Sequence, residues 1–559
     1  MWYLFLFPLA SSASNAVLES HFLIALARLA GEMLYDVVLL VTLSIAVFAV
    51  YRIGIYCAYS IRVNLALRKV PLPPKTLWLP FIGHAISLNR AEPWDLMMRW
   101  AQATGNTVRF NVLGQEVIYF NDPKMLKRIL QSKQRIYRKD IASSYKQFLC
   151  LLGSGLVTSE DEKWRQGRLF LSHALRVDLV EVVTGTAYPN AQRLIQNVLK
   201  SDVIDMNEAF RHLTLQVIGE LVLSLNHEES DAIFPKLYLP VVTECNRRVW
   251  SPWRAFMPWL KGSRDRNRCI AELNGVLVSM IRQRWSLRHL ESKDGKEVKR
   301  RQDMLDHYLG QVKELSLETI EAVRDEIKTM LLAGHETSAA TLTWSLFEVL
   351  SNPQYATKLR QEHKAVFGKF AAEGVPPTLD AVRSLRWSPA VIREVMRKYS
   401  VVPLVMRYAS EDDFVPKADS GLDYDLTIPR GVSVMVGIAG VHHREDIWPE
   451  PSKFNPERFL GYSPETQVAA SKNDSGDVID QWSYIPFIAG PRNCLGQHVA
   501  FTEMQMVLSY LVMALTHEEK DGTVVVDYEI ADRNAKAGLR HDYEIPVCPK
   551  FGLPIRRKR

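Results

Sequence analysis

The chain has 559 residues, of which 47% are hydrophobic and 23% are charged. This composition is typical of a globular protein and excludes an intrinsically disordered one. The 69 basic and 62 acidic residues leave a formal net charge of +7, which suits an acidic protein partner or an anionic membrane surface. The sequence has no dense basic stripe interleaved with aromatic residues, so nucleic acid is not an expected partner.

The cysteines are scattered along the chain and none falls in a Cys-x-x-Cys motif. They are Cys57, Cys150, Cys245, Cys269, Cys494 and Cys548. This spacing fits neither a disulfide framework nor a zinc site. We therefore expect the body of the protein to face a reducing compartment such as the cytosol.

The N-terminal region is apolar enough to anchor the chain in a membrane. Residues 37–51 are unbroken apolar or small, and after one arginine the run continues as IGIYCAYSI, so the two runs approach the roughly 20 residues of a spanning helix. Arg62, Arg68 and Lys69 follow, which predicts a single span with the rest of the chain in the cytosol. Residues 1–10 are also apolar but lack a basic start, so a cleaved or organelle-targeting leader stays open.

A proline-rich segment, VPLPPKTLWLPFIGH over residues 70–84, follows the anchor. Its four prolines disfavour helix and sheet, so we interpret it as a rigid hinge. The predicted organisation is an N-terminal leader and transmembrane anchor over 1–69 and one domain over 70–559, which begins with the hinge.

The body has helical periodicity over most of its length from about residue 90. The strand candidates are 107–114, 116–120, 433–439 and 523–530. This pattern predicts a mainly α fold with small β-sheets, of the α+β class. No GxGxxG motif opens a helix and no GxxxxGK[ST] motif occurs, so we expect no nucleotide site in this chain.

The longest helical pattern covers residues 317–351. Ser316 is placed to cap its start, and Asn352-Pro353 is placed to end it. Thirty-five residues would span about 50 Å, which is enough to cross a large domain.

The middle of this helix carries AGHETS, residues 333–338. Gly334 should cost about 1 kcal/mol relative to alanine, and the polar side chains beside it compete for backbone hydrogen bonds. A tolerated glycine in a packed helix is the plain explanation. The alternative is a groove for a small ligand such as dioxygen, with Glu336 and Thr337 supplying protons.

Residues 487–496, FIAGPRNCLG, place Cys494 in a loop that two glycines and a proline allow to bend. A cysteine that only packs in a core needs no such loop. A thiolate can instead bind haem iron and favour O–O cleavage. The bend would point backbone N–H groups at the sulfur, and a helix that starts near Leu495 would add its N-terminal dipole. Arg492 is close enough to reach a haem propionate, and Phe487 would keep water from the sulfur.

The pattern Phe-x-x-Gly-x-Arg-x-Cys-x-Gly over residues 487–496 resembles the haem-binding loop of the cytochrome P450 superfamily. Further segments resemble that family. They are AGHETS, Glu394-x-x-Arg397 and FNPERF over 454–459. The anchor and hinge resemble the membrane-bound eukaryotic type, so the resemblance covers about residues 70–555.

The resemblance implies the cytochrome P450 fold with haem b as cofactor and Cys494 as the ligand of its iron. Trp164 and Arg168, in a W-x-x-x-R pattern, take the places of residues that hold one haem propionate, and Arg407 takes the place of another propionate ligand. The candidate cofactor-binding residues are therefore Trp164, Arg168, Arg407, Phe487, Arg492, Cys494 and Gly496, and the candidate catalytic residues are Glu336 and Thr337.

Other positions concern the protein around the haem. Glu394, Arg397 and Arg458 take the places of a buried charge network, which should be costly to break at one member. Ala333 stands where many fatty-acid omega-hydroxylases carry a glutamate, so their covalent haem attachment is not expected. His498 stands where many members carry arginine.

The resemblance also implies the activity and the partners. It implies a membrane-anchored haem-thiolate monooxygenase of the endoplasmic reticulum, with a plastid or mitochondrial membrane as the less favoured site. Electrons would come from an NADPH-cytochrome reductase, with cytochrome b5 as a further donor. Candidate substrate contacts are mostly apolar, namely Tyr145, Phe148, Trp253, Phe256, Leu332, Val402 and Leu404. We expect a hydrophobic, lipid-like substrate, either a fatty acid, a sterol or an isoprenoid.

Three alternatives stay open. The first is a haem-thiolate isomerase or dehydratase that needs no external electrons, against which the Glu336-Thr337 pair counts. The second is a membrane-anchored haem carrier or sensor without catalysis. The third is a haem-free structural membrane protein, which would require every motif to be accidental.

Overall fold

The structure, a computed structural model, describes residues 12–74, 76–90, 92–175, 177–294, 303–462, 471–472, 478–538 and 546–558. The apolar leader over residues 1–10 lies outside this range. The chain divides into two compact units, Met1–Arg68 and Lys69–Arg559.

The first unit contains one long helix, α1, Ser12–Ala66. Its part Met33–Ala66 contains an 18-residue window with a mean hydropathy of 2.4 and is long and apolar enough to cross a membrane. The large apolar side chains of this part are mostly exposed, among them Val41, Phe48 and Ile53. The predicted apolar N-terminal helix is thus confirmed.

The second unit is mainly helical, as predicted. Its helices are α2 Ala85–Arg90, α3 Pro93–Ala103, α4 Pro123–Lys127, α5 Leu149–Leu152, α6 Asp161–Ala174, α7 Val177–Lys200, α8 Met206–Leu223, α9 His227–Ile233, α10 Leu239–Trp250, α11 Lys261–Asp294, α12 Met304–Gly310, α13 Leu317–Ser351, α14 Pro353–Glu373, α15 Leu379–Arg383, α16 Trp387–Tyr399, α17 Lys417–Ser420, α18 Ile438–His442 and α19 Gln497–Ala514. Its strands are β1 Thr107–Val112, β2 Gln115–Phe120, β3 Tyr137–Lys139, β4 Val203–Asp205, β5 Leu404–Ala409, β6 Asp413–Val415, β7 Leu426–Ile428, β8 Ser433–Gly437, β9 Ser471–Lys472, β10 Val478–Ile479, β11 Thr516–Glu518, β12 Val524–Val526, β13 Tyr528–Ile530 and β14 Pro554–Arg557.

The largest sheet has the strand order β1-β2-β8-β5-β3. Strands β2 and β8 run parallel, and the other neighbours are antiparallel. Within it, Lys139 of β3 lies directly opposite Arg407 of β5. The smaller sheets are β13-β14-β4 and the pairs β6-β7, β9-β10 and β11-β12.

Helix α13 runs through the centre of the second unit. It begins and ends where the sequence predicts, and the Ser316 hydroxyl accepts a hydrogen bond from the Thr319 N–H at 3.1 Å. Its C-terminal half packs in a core with α7, α8, α14, α16 and α19, and its N-terminal half packs in a second core with α10, α11 and α12. Trp344 is fully buried and stacks on Tyr399 at 3.9 Å between ring centres. Helix α13 therefore holds a fixed position against most of the other helices.

Candidate functional site

The Cys494 loop is a tight bend held by its own backbone. The Cys494 N–H donates to the Phe487 carbonyl at 2.9 Å, and the Asn493 N–H donates to the Gly490 carbonyl at 3.1 Å. Gly490 has a φ of +80°, and a Cβ there would lie 2.3 Å from the Leu130 carbonyl oxygen. Only glycine fits this position, because both the backbone conformation and the space exclude a side chain.

The sulfur of Cys494 lies at the N-terminus of α19. Burial raises the pKa of the Cys494 thiol, while the N–H groups of Gly496 and Gln497 and the positive charge of Arg168 act in the opposite direction. The side chain is nonetheless exposed. The backbone donors and the helix dipole would stabilise a thiolate.

Three of the predicted residues surround this loop. The Arg168 guanidinium donates to the Asn493 carbonyl at 2.8 Å and also to the Asn493 side chain. The Arg492 guanidinium carbon lies 4.0 Å from the centre of the Trp164 ring. Arg492 also pairs with the carboxylate of Glu160. The structure thus brings Trp164, Arg168 and Arg492 together beside Cys494.

Further cations converge on the same place. Arg407 and Lys139 are both buried and lie opposite each other on adjacent strands. Burial lowers the pKa of Arg407, although Tyr145 and Glu160 counteract it. Burial, Arg492 and Arg407 together lower the pKa of Lys139 to about 7. Like charges directly opposite each other destabilise a sheet unless something neutralises them.

The donor set fits a haem group. Haem carries two propionate carboxylates. The cations beside the loop are Arg407 and Lys139, which are buried, and Arg168 and Arg492, which are partly buried. Glu160 pairs with Arg492 and also acts on Lys139. Bidentate guanidinium groups are well suited to carboxylates. A cysteine thiolate at a helix N-terminus could supply the bond to iron that a haem-thiolate site requires.

Glu336 and Thr337 lie next to each other on α13. The Thr337 hydroxyl donates to the Ala333 carbonyl at 2.8 Å. Glu336 is buried, and its carboxylate lies 3.8 Å from the His335 ring. Burial lowers the pKa of His335 to about 4, so His335 is neutral at pH 7 and the two side chains do not form an ion pair. Ala333 is exposed and Thr337 is half-buried, while most of the following turns are buried. This face of α13, one turn long, opens onto free space.

Gly334 has a packing role. A Cβ at this position would lie 2.8 Å from two side-chain carbons of Ile218 on α8. Helix α13 is continuous through Gly334. The glycine is therefore explained by the close approach of α8, which is the plain explanation that the sequence offered.

The candidate substrate contacts fall in different environments. Trp253 and Phe256 lie on a 3₁₀ turn, Pro252–Phe256, and are 52% and 81% exposed, so they do not line an interior pocket in this structure. Leu404 packs in a core beneath the large sheet. Phe148 and Leu332 are partly buried against the core that contains the first half of α13, and so is Leu495 beside Cys494. Tyr145 hydrogen-bonds to Arg407.

The predicted charge network is present. Both side chains of the Glu394–Arg397 pair are fully buried, and Arg397 donates two hydrogen bonds of 2.8 Å to the Glu394 carboxylate. Arg458 approaches the same carboxylate at 3.6 Å. Arg397 also donates to the His442 carbonyl at 3.0 Å and the Pro451 carbonyl at 2.8 Å.

Sequence reasoning missed Lys139 and Glu160. The Lys139 ammonium donates to the carbonyls of Leu156 and Val157 at 3.0 and 2.8 Å. The backbone N–H of Lys139 donates to the Glu160 carboxylate at 2.8 Å. Neither residue belongs to a recognisable motif. No sequence signal marks Lys139, because the strand Tyr137–Lys139 was not predicted and the burial of Lys139 at its end is visible only in the structure.

Comparison with known proteins agrees with this geometry. The family model described as Cytochrome P450 matches residues 72–535. Cytochrome P450 4V2 of Rattus norvegicus is 26% identical over 510 residues, which are 88% of this chain and 90% of that protein. LUTEIN DEFICIENT 5, chloroplastic, of Arabidopsis thaliana is 25% identical over 423 residues, 73% of this chain and 66% of that protein. A cytokinin hydroxylase of Arabidopsis thaliana is 27% identical over 378 residues, 65% of this chain and 66% of that protein.

The fold, the cysteine loop and the family match define a haem-thiolate monooxygenase. The chain belongs to the cytochrome P450 family.

Proposed function

We propose that this chain is a membrane-anchored haem-thiolate monooxygenase that oxidises a hydrophobic, lipid-like substrate. The proposal includes haem b as the cofactor, O₂ as the oxidant and an NADPH-cytochrome reductase as the electron source. One observation carries it. The Cys494 sulfur faces two backbone N–H groups at the start of α19, next to a cluster of buried and partly buried cations suited to carboxylates.

The proposed roles divide between binding and proton delivery. Cys494 binds the iron, with Gly496 donating its N–H to the sulfur and Phe487 covering it from water. Trp164, Arg168, Arg407 and Arg492 hold the propionates. When bound, the haem supplies the activation of O₂ and the insertion of one oxygen atom into a substrate C–H bond.

Proton delivery is assigned to α13. Thr337 is half-buried on the face of α13 that opens onto free space, and Glu336 precedes it. We propose that the Thr337 hydroxyl and the Glu336 carboxyl pass protons inward while the surrounding helices exclude bulk water.

The substrate class rests on apolar lining and on the anchor. Phe148 and Leu332 lie at the edge of an apolar core, and α1 would place the protein where lipid-soluble molecules concentrate. One relative is named a cytokinin hydroxylase and another carries lutein in its name. We therefore propose hydroxylation as the reaction type, on a fatty acid, a sterol or an isoprenoid.

The proposed location is the membrane of the endoplasmic reticulum, with the body in the cytosol. Arg62, Arg68 and Lys69 follow the apolar helix, and this charge bias favours a cytosolic C-terminal side. Two relatives have names that carry the word chloroplastic, so plastid residence is the outcome that would contradict this location.

The first experiment tests the ligand. The full-length protein should show the Soret band of a reduced, carbon-monoxide-bound haem thiolate. The variant Cys494→Ser should lose this band. Cys269→Ser is the matched control, because Cys269 is a buried thiol on α11, and it should keep the band. Survival of the band in Cys494→Ser would refute the assignment.

The second experiment separates the monooxygenase from the isomerase or dehydratase alternative and identifies the substrate. Lipid extracts of cells with and without the gene are compared, and each changed lipid is then incubated with the protein, O₂, NADPH and reductase. We expect a product one oxygen atom heavier that forms only with NADPH and reductase. A rearranged product that forms without them would favour the alternative.

A further inference from the structure

Two cysteines that have no role in the proposed function lie side by side. The sulfurs of Cys150 and Cys245 are 3.7 Å apart, although the residues are 95 positions apart in the chain. Among the residues that the structure describes, no other two cysteine sulfurs are in hydrogen-bonding contact. Cys269 instead donates to the Lys236 carbonyl at 3.4 Å.

The two cysteines belong to different elements and differ in access. Cys150 lies in the short helix α5 and is half-buried, whereas Cys245 lies in α10 and is buried. Helix α5 packs on α13, and α10 packs on α11 and on the 3₁₀ turn Lys146–Phe148 that precedes α5. A reagent from solution would therefore reach Cys150 first.

We propose that Cys150 and Cys245 are a reversible dithiol that hydrogen peroxide closes into a disulfide, tying α5 to α10. The sulfurs must approach by about 1.7 Å to reach the bond length of about 2.05 Å. A change of this size lies within the reach of side-chain rotation at a partly exposed residue of a four-residue helix.

The surroundings divide the two thiols into an attacking and a resolving partner. The hydrogen bond from Cys245, together with the positive charges of Arg266, Arg248 and Lys328, lowers the pKa of Cys150 below its usual value. The same hydrogen bond and burial raise the pKa of Cys245 well above its usual value. A partly exposed thiol of low pKa beside a second cysteine is the usual arrangement of a peroxide-sensitive pair.

The chemistry balances without a cofactor. The Cys150 thiolate attacks one oxygen of hydrogen peroxide, the O–O bond breaks, and a sulfenic acid and hydroxide form. The Cys245 sulfur then attacks the sulfenic sulfur, the S–O bond breaks, and water leaves. In sum, two thiols and one hydrogen peroxide give one disulfide and two waters, with the sulfurs oxidised by two electrons. A dithiol reductant reverses the reaction by thiol–disulfide exchange.

The pair suits a reducing compartment, where disulfides are mostly transient and redox-sensing. Under the proposed function, turnover that releases hydrogen peroxide instead of product would generate the oxidant within the same protein. This source rests on the proposed function, whereas the dithiol itself does not. The experiment therefore adds peroxide directly, so that the two proposals fail independently.

The test treats the full-length holoprotein in detergent with a small excess of hydrogen peroxide. Free thiols are alkylated under denaturing conditions, and the protein is digested and analysed by mass spectrometry. We expect a cross-linked peptide pair containing Cys150 and Cys245, two hydrogen masses lighter than the free peptides, which disappears after dithiothreitol. The oxidised protein should also melt at a higher temperature than the reduced protein, because the cross-link restricts the unfolded chain.

Variants provide the controls. Cys150→Ser and Cys245→Ser should each abolish the cross-link and the rise in melting temperature, and Cys269→Ser should retain both. The measurement on the unaltered protein does not depend on the folding of any variant. The proposal is overturned if both cysteines of the treated protein are still alkylated as free thiols. It is also overturned if Cys150 is oxidised to sulfinic acid without cross-linking, or if it pairs with another cysteine.

Discussion

The surroundings of Lys139 conflict with a positive charge on its side chain. It is buried, it lies opposite Arg407, and burial with two arginines lowers its pKa to about 7. Carbonyl oxygens accept hydrogen bonds from its ammonium group and favour the charged form, but burial and the neighbouring cations outweigh them. The proposed explanation is that haem propionates neutralise this cluster.

This explanation predicts a pH effect in haem-depleted protein. The pKa of Lys139 is near 7 in the folded chain and about 10.4 in the unfolded chain, so the unfolded state binds the extra proton between these values. The free energy of unfolding should therefore rise with pH over this window. Lys139→Met should lower the slope by up to about 1.4 kcal/mol per pH unit. The measurement is urea unfolding at several pH values.

Haem provides the control for the Lys139 prediction. With haem bound, the propionates should raise the pKa of Lys139, and the difference in slope between the natural protein and Lys139→Met should shrink. Equal differences with and without haem would show that no anion reaches this cluster.

Thr337 offers a second prediction at a single residue. Its hydroxyl donates to the Ala333 carbonyl on the face of α13 that opens onto free space, and we propose that it passes protons. Thr337→Ala should increase the hydrogen peroxide released per NADPH consumed. The helix itself should not weaken, because alanine has the higher helix propensity. Thr337→Ser keeps the hydroxyl and should stay close to the natural protein, whereas unchanged peroxide release in Thr337→Ala would remove this residue from the proton path.

Individual elements were predictable where local signals mark both ends. Helix α13 has a serine cap at its start and Asn-Pro at its end, and the structure places it over the predicted residues. The strand predicted over 523–530 instead divides at Asp527 into β12 and β13, which belong to different sheets. The alternation of apolar residues continues through Asp527, so the sequence does not show the division. It is visible only because β12 pairs with β11 and β13 pairs with β14. The start of α19 was likewise predicted near Leu495 but lies at Gln497.

The Glu394–Arg397 pair shows that burial, and not spacing, decides how much an ion pair matters to the fold. Glu162 and Arg165 have the same spacing on α6, but their side chains are 57% and 74% exposed, while those of Glu394 and Arg397 are fully buried. Burial raises the pKa of Glu394, and Arg397 counteracts it. The two pairs are indistinguishable by spacing alone.

This contrast yields a prediction about helices α16 and α6. Arg397→Met leaves the Glu394 carboxylate buried without its main partner and should lower the free energy of unfolding by roughly 3–5 kcal/mol. Arg165→Met, the matched control, should change it by less than about 1 kcal/mol. Urea unfolding followed by circular dichroism measures both. Similar costs for the two variants would contradict the buried network.

At the scale of the whole molecule, the site was predictable only in part. The loop around Cys494 is contiguous, so its residues can be recognised together in the sequence. The cation cluster is assembled from β3, β5, α6 and the loop before α19, which lie far apart in the chain. No local pattern shows that Lys139 and Glu160 meet Arg407 and Arg492, because strand pairing brings Lys139 to Arg407.

The division into two units gives the last prediction. Lys69–Arg559 forms a compact unit by itself, and the apolar side chains of α1 are mostly exposed. A protein lacking residues 1–68 should therefore keep the carbon-monoxide-bound Soret band. A carbonate wash should release this shortened protein from membranes but should not release the full-length protein, because lipid holds an apolar helix of this length. Loss of the band would show that the second unit needs α1 to fold, and retention after the carbonate wash would place the anchor elsewhere in the chain.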